Sequence, residues 1–263
     1  MTFAWYGFAL EHPDDWAPVT LSGARQEGYV RIASPGRHSL QVRWKTSKRD
    51  VDLSSVLAAY LSRLEQDAKS AKTAFRSHID DSDGKIAYRY TSSQHGRGMI
   101  FQSAESGRVF FLEAVSLKAD SLLPTFRNLV DSFCADTPEE RWALYGLKLK
   151  LPKGLDVDKK VLESGRTQLF LSSKKAHIEA QRWAFAEQLV AKHGLEPWAR
   201  SMLQMPKSES EISGASVQFR QAGSALRPPV VALAIVQPDR NQIATVKVTT
   251  RDPSWRPSWD WFE

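Results

Sequence analysis

The chain repeats itself once, at long range. Tyr6-Gly7-Phe8-Ala9-Leu10-Glu11-His12-Pro13 aligns with Tyr145-Gly146-Leu147-Lys148-Leu149-Lys150-Leu151-Pro152, an offset of 139 residues. At the same offset Tyr29-Val30-Arg31-Ile32-Ala33-Ser34 meets Gln168-Leu169-Phe170-Leu171-Ser172-Ser173, and Arg43-Trp44 meets Arg182-Trp183. Three separated segments rarely share one offset by chance. Further along the match loosens: Gly84-Lys85-Ile86-Ala87-Tyr88-Arg89 resembles Gly214-Ala215-Ser216-Val217-Gln218-Phe219-Arg220 with one insertion, and Val109-Phe110-Phe111-Leu112 resembles Ile243-Ala244-Thr245-Val246. A period this long exceeds that of solenoid repeats and predicts a tandem pair of domains. The expected copies are 1–136 and 137–263, joined near Thr137-Pro138-Glu139-Glu140.

Composition narrows the class. The 263 residues fit one large domain or two medium ones. With 42% hydrophobic and 25% charged residues, collagen, whole-chain disorder and coiled coil are excluded in favour of a soluble globular chain. The single cysteine, Cys134, rules out an internal disulfide framework and any CxxC metal knuckle. No run approaches the roughly 18 apolar residues needed to span a bilayer. The start, Met1-Thr2-Phe3-Ala4-Trp5-Tyr6-Gly7, lacks the basic and apolar regions of a signal peptide, so a cytoplasmic location is expected. Net charge is +6, and residues 137–263 supply most of it, with 19 Lys+Arg against 14 Asp+Glu. That balance suits an acidic partner such as nucleic acid, an anionic membrane or an acidic protein. It equally suits a surface that is merely solubilised.

In the first copy Phe8 and Leu10, then Val30 and Ile32, then Leu40, Val42 and Trp44 recur at period two, predicting strands. Leu53, Val56, Leu57, Tyr60, Leu61 and Leu64 recur at three and four, predicting a helix that Asp50 or Asp52 can cap. Strands are expected at 86–91, 99–103 and 109–116, with turns at Gly96-Arg97-Gly98 and Ser106-Gly107. A last helix should run from about Asp120 to Phe133 with Leu122, Leu123, Phe126, Leu129, Val130 and Phe133 on one side. Three strands, helix, three strands, helix is an antiparallel sheet covered by helices. In the second copy Leu40 and Val42 align with Glu179 and Gln181, so a bulge shifts the register there or that face is wet. The helix after Trp183 should break at His193-Gly194 and resume near Glu196-Pro197. Ser208-Glu209-Ser210-Glu211 reads as a polar connector, and strands are expected at 230–236 and 243–250.

Tyr6-Gly7-Phe8, Leu10, Pro13 and Trp16 resemble the opening of Mog1/PsbP-like domains, with a weaker echo at Tyr145-Gly146-Leu147, Leu149 and Pro152. The resemblance implies an α/β (α+β) fold, an antiparallel sheet of about six strands between helices. Relatives in that family mostly bind proteins or assist assembly. They include a nuclear-transport GTPase regulator, photosystem accessory subunits and chaperones of type VI secretion effectors. None of their functional residues maps onto this chain one by one. A photosystem role sits badly with the absence of a transit peptide. The secretion chaperones act as dimers of one domain, which a covalent tandem would mimic.

No catalytic residue and no metal ligand set is expected. His12-Pro13-Asp14-Asp15 is the densest titratable cluster; the ordinary reading is a turn. The six histidines show no HxH or HxxxH spacing. Cys134 ends an apolar helix and reads as a buried inert thiol. His95-Gly96-Arg97-Gly98 reads as a hairpin tip, not a phosphate cradle. Lys148, Lys150, Lys153, Lys159 and Lys160, with Lys174 and Lys175 in a neighbouring turn, form a candidate nucleic-acid-binding patch, although lysine on an open strand face is also edge protection. Trp44 and Trp183 read as core landmarks. Where the first copy has its closing helix, the second has a short tail carrying Trp255, Trp259, Trp261 and Phe262. These should either fold back to cover the sheet or anchor a partner.

The function expected is a non-enzymatic protein-binding or complex-assembly subunit, adaptor or chaperone-like, with no cofactor and no membrane insertion. The alternative is a nucleic-acid-associated protein using the second-copy lysines. A weaker third reading is an enzyme with its pocket between the copies.

Overall fold

The fold is described from a computed structural model, which describes residues 1–36, 38–82, 84–118, 122–137 and 139–262. The fold is α+β, and packing divides the chain into two compact units, Met1–Pro138 and Glu139–Glu263.

The first unit opens with an antiparallel hairpin, β1 (Thr2–Trp5) and β2 (Phe8–Glu11). Its turn residues Tyr6 and Gly7 lie at φ 49° and 83°, the left-handed pair that a two-residue hairpin turn demands. A seven-stranded antiparallel sheet follows: β3 (Ala17–Gly23), β4 (Glu27–Ala33), β5 (Ser39–Thr46), β6 (Arg76–Ser82), β7 (Lys85–Thr91), β8 (His95–Gln102) and β9 (Arg108–Ser116). The spatial order is β3-β4-β5-β9-β8-β7-β6. Between β5 and β6 runs α1 (Leu53–Ser70), and α2 (Leu122–Ser132) closes the unit. Alternation at Leu40, Val42 and Trp44 buries one sheet face under the hairpin. There the Phe8 ring lies 5.2 Å from Trp44 and 5.8 Å from Phe110. On the opposite face α1 is capped by Asp52, whose carboxylate accepts from the Ser55 amide, and it buries Leu57, Tyr60 and Leu61 against Ile86, Tyr88 and Ile100.

The second unit runs through the same order. Its hairpin is β10 (Glu140–Leu144) and β11 (Leu147–Leu151), turning at Tyr145 and Gly146 with φ 48° and 80°. Its sheet comprises β12 (Asp156–Glu163), β13 (Arg166–Ser172), β14 (Ala176–Ala184), β15 (Glu209–Ser213), β16 (Ser216–Gln221), β17 (Val230–Gln237) and β18 (Gln242–Thr250), in spatial order β12-β13-β14-β18-β17-β16-β15. In place of α1 stand α3 (Ala186–His193) and α4 (Leu195–Met202), broken at Gly194 with φ 72°. Trp198, Ala199 and Leu203 pack on Val217, Phe219 and Ala232. Fine irregularities recur as well. The β3–β4 ladder shifts register between Pro18 and Thr20, and the β12–β13 ladder between Val157 and Lys159. Left-handed residues follow both helical segments, at Lys72 and Gln204, and join the last two strands, at Gly107 and Asn241.

Several expectations need correction. Each sheet has seven strands, because four edge strands escaped the periodicity test: β3, β6, β12 and β15 are too polar or too irregular to alternate. The supposed connector at Ser208-Glu209-Ser210-Glu211 thus runs into β15. Gly96 and Gly98 are not a turn but lie within β8, where a Cβ would stand 2.1 Å from the Tyr90 and Tyr88 rings respectively. The expected helix start at Asp120 lies outside the described residues. Trp183 does not match Trp44. Val30 pairs with Val42 in the first unit and Leu169 with Ala180 in the second, so Ala180, not Gln181, takes the place of Val42. Neither a bulge nor a wet face is the cause. The β13–β14 turn is one residue shorter than the β4–β5 turn, and one residue flips a strand's side-chain phase.

Candidate functional site

The two units differ most on the sheet face that carries the hairpin. In the first, α2 packs over β8 and β9, burying Leu122 and Leu129. Beyond it Phe133 sits 5.2 Å from Phe110, and the backbones of Cys134 and Ala9 exchange two hydrogen bonds of 2.9 Å. In the second unit the tail folds back instead, through 3-10 turns at Pro253–Trp255 and Trp259–Trp261. Phe262 forms an isolated bridge with Leu149 on β11. Trp255 is buried, Trp261 and Phe262 are half-buried, and Trp259 is exposed at 39%. The tail root is pinned by Asp252. Its carboxylate accepts from the Ser254 hydroxyl and amide and pairs with Lys175 at 3.0 Å, which depresses its pKa to about 2.

A tail this short reaches the hairpin but leaves the far end of the sheet open. There a cleft of about 660 Å³ is floored by Val231 and Val248 and walled by Pro229 and Pro257. Val231 pairs with Val248 as Arg97 pairs with Ala114 on β8 and β9, the strands under α2. Lys207, Arg220, Arg251 and Arg256 surround the floor, against the carboxylates of Glu209 and Asp252. Arg220 reaches Gln218 at 2.9 Å and Glu211 at 3.8 Å, and Arg251 donates to the Ala225 carbonyl at 2.7 Å. Among the described residues Lys207 and Arg256 have no hydrogen bond or ion pair. Chemically this is a trough of mixed lining, apolar at Val231, Pro229 and Pro257 and cationic at its rim.

The seven candidate lysines do not form one surface. Lys159 and Lys160 are consecutive on β12, so their side chains leave by opposite faces; Lys159 lies 5.7 Å from the Phe170 ring. Lys148 and Lys150 share the outer face of β11, with Lys150 3.8 Å from Glu139. Lys153 and Lys174 are exposed, and Lys175 is committed to Asp252.

The first unit has a polar cluster that periodicity did not reveal. Glu113, 1% exposed on β9, accepts from the hydroxyls of Tyr60 and Tyr88, both at 3.0 Å. Burial raises its pKa, and the nearby Arg43 and the two hydroxyls only partly offset this. Burial alone would lower the pKa of Arg43, but Tyr60 and Glu113 outweigh it and the net direction is up. The Arg43 guanidinium lies 5.1 Å from the Tyr29 ring centre and 5.2 Å from that of Tyr60. A single Glu in an otherwise apolar strand, Val109-Phe110-Phe111-Leu112-Glu113-Ala114-Val115, was the available signal.

The remaining candidates have structural partners. His12 is buried, its Nδ1 lies 2.8 Å from the Pro13 carbonyl, and burial lowers its pKa. Asp14 pairs with the N-terminal amine at 2.6 Å. Cys134 is exposed rather than buried, because the chain leaves α2 there to bridge Ala9. Among the described residues no group of three or more His, Cys, Asp or Glu is placed to hold a metal, and no helix is long and apolar enough to cross a membrane. The chain matches no protein-family model, no curated protein and no solved structure.

Proposed function

We propose that this chain is a tandem of two Mog1/PsbP-like domains acting as a non-enzymatic, cytoplasmic protein-binding or complex-assembly subunit, with the second copy as the binding module. Shared strand order, shared register shifts and shared left-handed turns support the duplication. One observation carries the binding role: the sheet face that the first unit seals with α2 is, in the second unit, an open cleft beside an aromatic tail. Apolar floor bounded by polar rim is the anatomy of a recognition surface. Trp259, Trp261 and Phe262 are the tail aromatics still accessible to a partner. The second reading, nucleic-acid association, rests on exposed Lys153, Lys159, Lys160 and Lys174.

A photo-crosslinking amino acid placed at Val231, and separately at Lys160, tests both in cells. Protein adducts at position 231 support the proposal. Adducts to nucleic acid at position 160, with retention on heparin that collapses steeply with salt, support the second reading. Neither adduct at either position would sink both.

A further inference from the structure

We infer that the cleft of the second unit receives a short amphipathic segment of a partner protein, with leucine-type side chains bounded by carboxylates. The inference rests on the protein-binding reading and adds the chemistry of the occupant.

The floor sets the first requirement. Val248 is already buried, so the accessible apolar surface of the trough is that of half-buried Val231 with exposed Pro229 and half-buried Pro257. An occupant gains by removing that apolar surface from water, which a purely ionic ligand does not do. The rim sets the second. Four cations, Lys207, Arg220, Arg251 and Arg256, face two carboxylates, so the trough keeps an excess of positive charge. Lys207 and Arg256 have donors to spare, and arginine suits two-point pairing with a carboxylate. Glu209 and Asp252, placed among these cations, oppose a densely charged phosphate backbone more than a segment with spaced carboxylates.

The first unit supplies the precedent for shape. On the matching strands, β8 and β9, the face takes an amphipathic element, α2, which buries Leu122 and Leu129. The second-unit tail packs Pro253–Trp255 on β18 and bridges Phe262 to Leu149 on β11. What it leaves open is the surface at Val231 on β17, matched in the first unit by β8, on which α2 packs. A partner segment with comparable leucines completes the layer, and its flanking acids meet a rim that the first unit does not need.

Selection of random twelve-residue peptides displayed on phage against the full-length chain tests this. Enriched sequences are expected to combine Leu, Ile or Phe with two or more Asp or Glu. A synthetic peptide of the consensus should bind saturably and crosslink to residues within 207–257. The double substitution Arg220→Glu and Arg256→Glu should weaken it at least about tenfold, as should replacing its carboxylates by amides. A consensus that is basic or uncharged but still crosslinks in the cleft overturns this inference and leaves the protein-binding reading standing. No enrichment, together with a single-stranded oligonucleotide that crosslinks in the cleft, overturns both. If the double variant melts early, the salt dependence of wild-type binding decides instead: affinity that does not fall between low and high salt refutes the acidic occupant.

Discussion

Lys247 stands on β18 where Glu113 stands on β9. Glu113 lies across from Gln41 and Gly98 in its ladders, and Lys247 across from Glu179 and Ala232 at the matching positions. The two units thus centre their helix-side faces on opposite charges. Glu113 is satisfied by two tyrosine hydroxyls, whereas Lys247 donates to the Leu203 carbonyl at 2.8 Å and lies 3.9 Å from Glu179.

Glu113 should make the first unit pH-sensitive. Its pKa is raised above the ordinary 4.5, so the folded state holds that proton more tightly than the unfolded chain does. Its contribution is full below pH 4.5 and is lost as pH rises through the raised value. Glu113→Gln should therefore lose least, or gain, at the high end of the range. Urea unfolding of both proteins at several pH values checks this; parallel stability curves would refute it.

Gly98→Ala should destabilise by about 1–3 kcal/mol, since its Cβ would stand 2.1 Å from the Tyr88 ring. Removing the ring with Tyr88→Ala should make the glycine substitution nearly neutral. A double variant no better than the sum of the singles would mean that the ring is not what requires glycine.

The tail belongs to the second unit's core. Trp255→Ala should cost about 3 kcal/mol, while Trp259→Ala should cost under about 1 kcal/mol because much of its ring is already in water. Deletion from Pro253 onward should lower the melting temperature of residues 139–252 and leave hydrogen exchange in β4, β5 and β9 unchanged. An unchanged melt would leave the tail as partner anchor alone.

Arg108 and Gln242 both hold their hairpin turn, Arg108 through the Tyr6 carbonyl at 2.8 Å and Gln242 through the Gly146 carbonyl at 3.3 Å. Arg108 also pairs with Asp136 at 3.3 Å, and both side chains are largely buried. Arg108→Met should cost about 3 kcal/mol by stranding a buried carboxylate, and Asp136→Asn in the same chain should restore part of it. Gln242→Ala should cost less, about 1–2 kcal/mol, because the Arg182 guanidinium that donates to it at 2.9 Å is only half-buried and can turn to water. Equal losses in thermal unfolding would contradict the assignment.

The central strands and the helices were legible because their burial imposes a period. Leu40, Val42 and Trp44 announce β5, and Leu57, Tyr60 and Leu61 announce α1, since each line of side chains faces one core. Edge strands such as β15, Glu-Ser-Glu-Ile-Ser, are exposed at every position and have no phase to read. The Trp44–Trp183 match misled because a turn shortened by one residue moves every later side chain to the other face while leaving identity scores intact. The cleft was illegible for another reason. Lys207 and Arg220 lie about thirty residues or more before Arg251 and Arg256, and only the sheet pairing and the return of the tail gather them.

The outer strands have a consequence for handling the protein. β15 offers an unpaired row of backbone donors and acceptors, with Ile212 65% exposed upon it and Glu209 and Glu211 preceding it on the strand. Strand-to-strand joining between copies brings those carboxylates into register with their own kind, and like-charge repulsion keeps the molecules apart. Added salt screens that repulsion while leaving Ile212 and the open backbone in place. Turbidity that rises with salt concentration, before tryptophan fluorescence reports unfolding, is the behaviour such a border should produce.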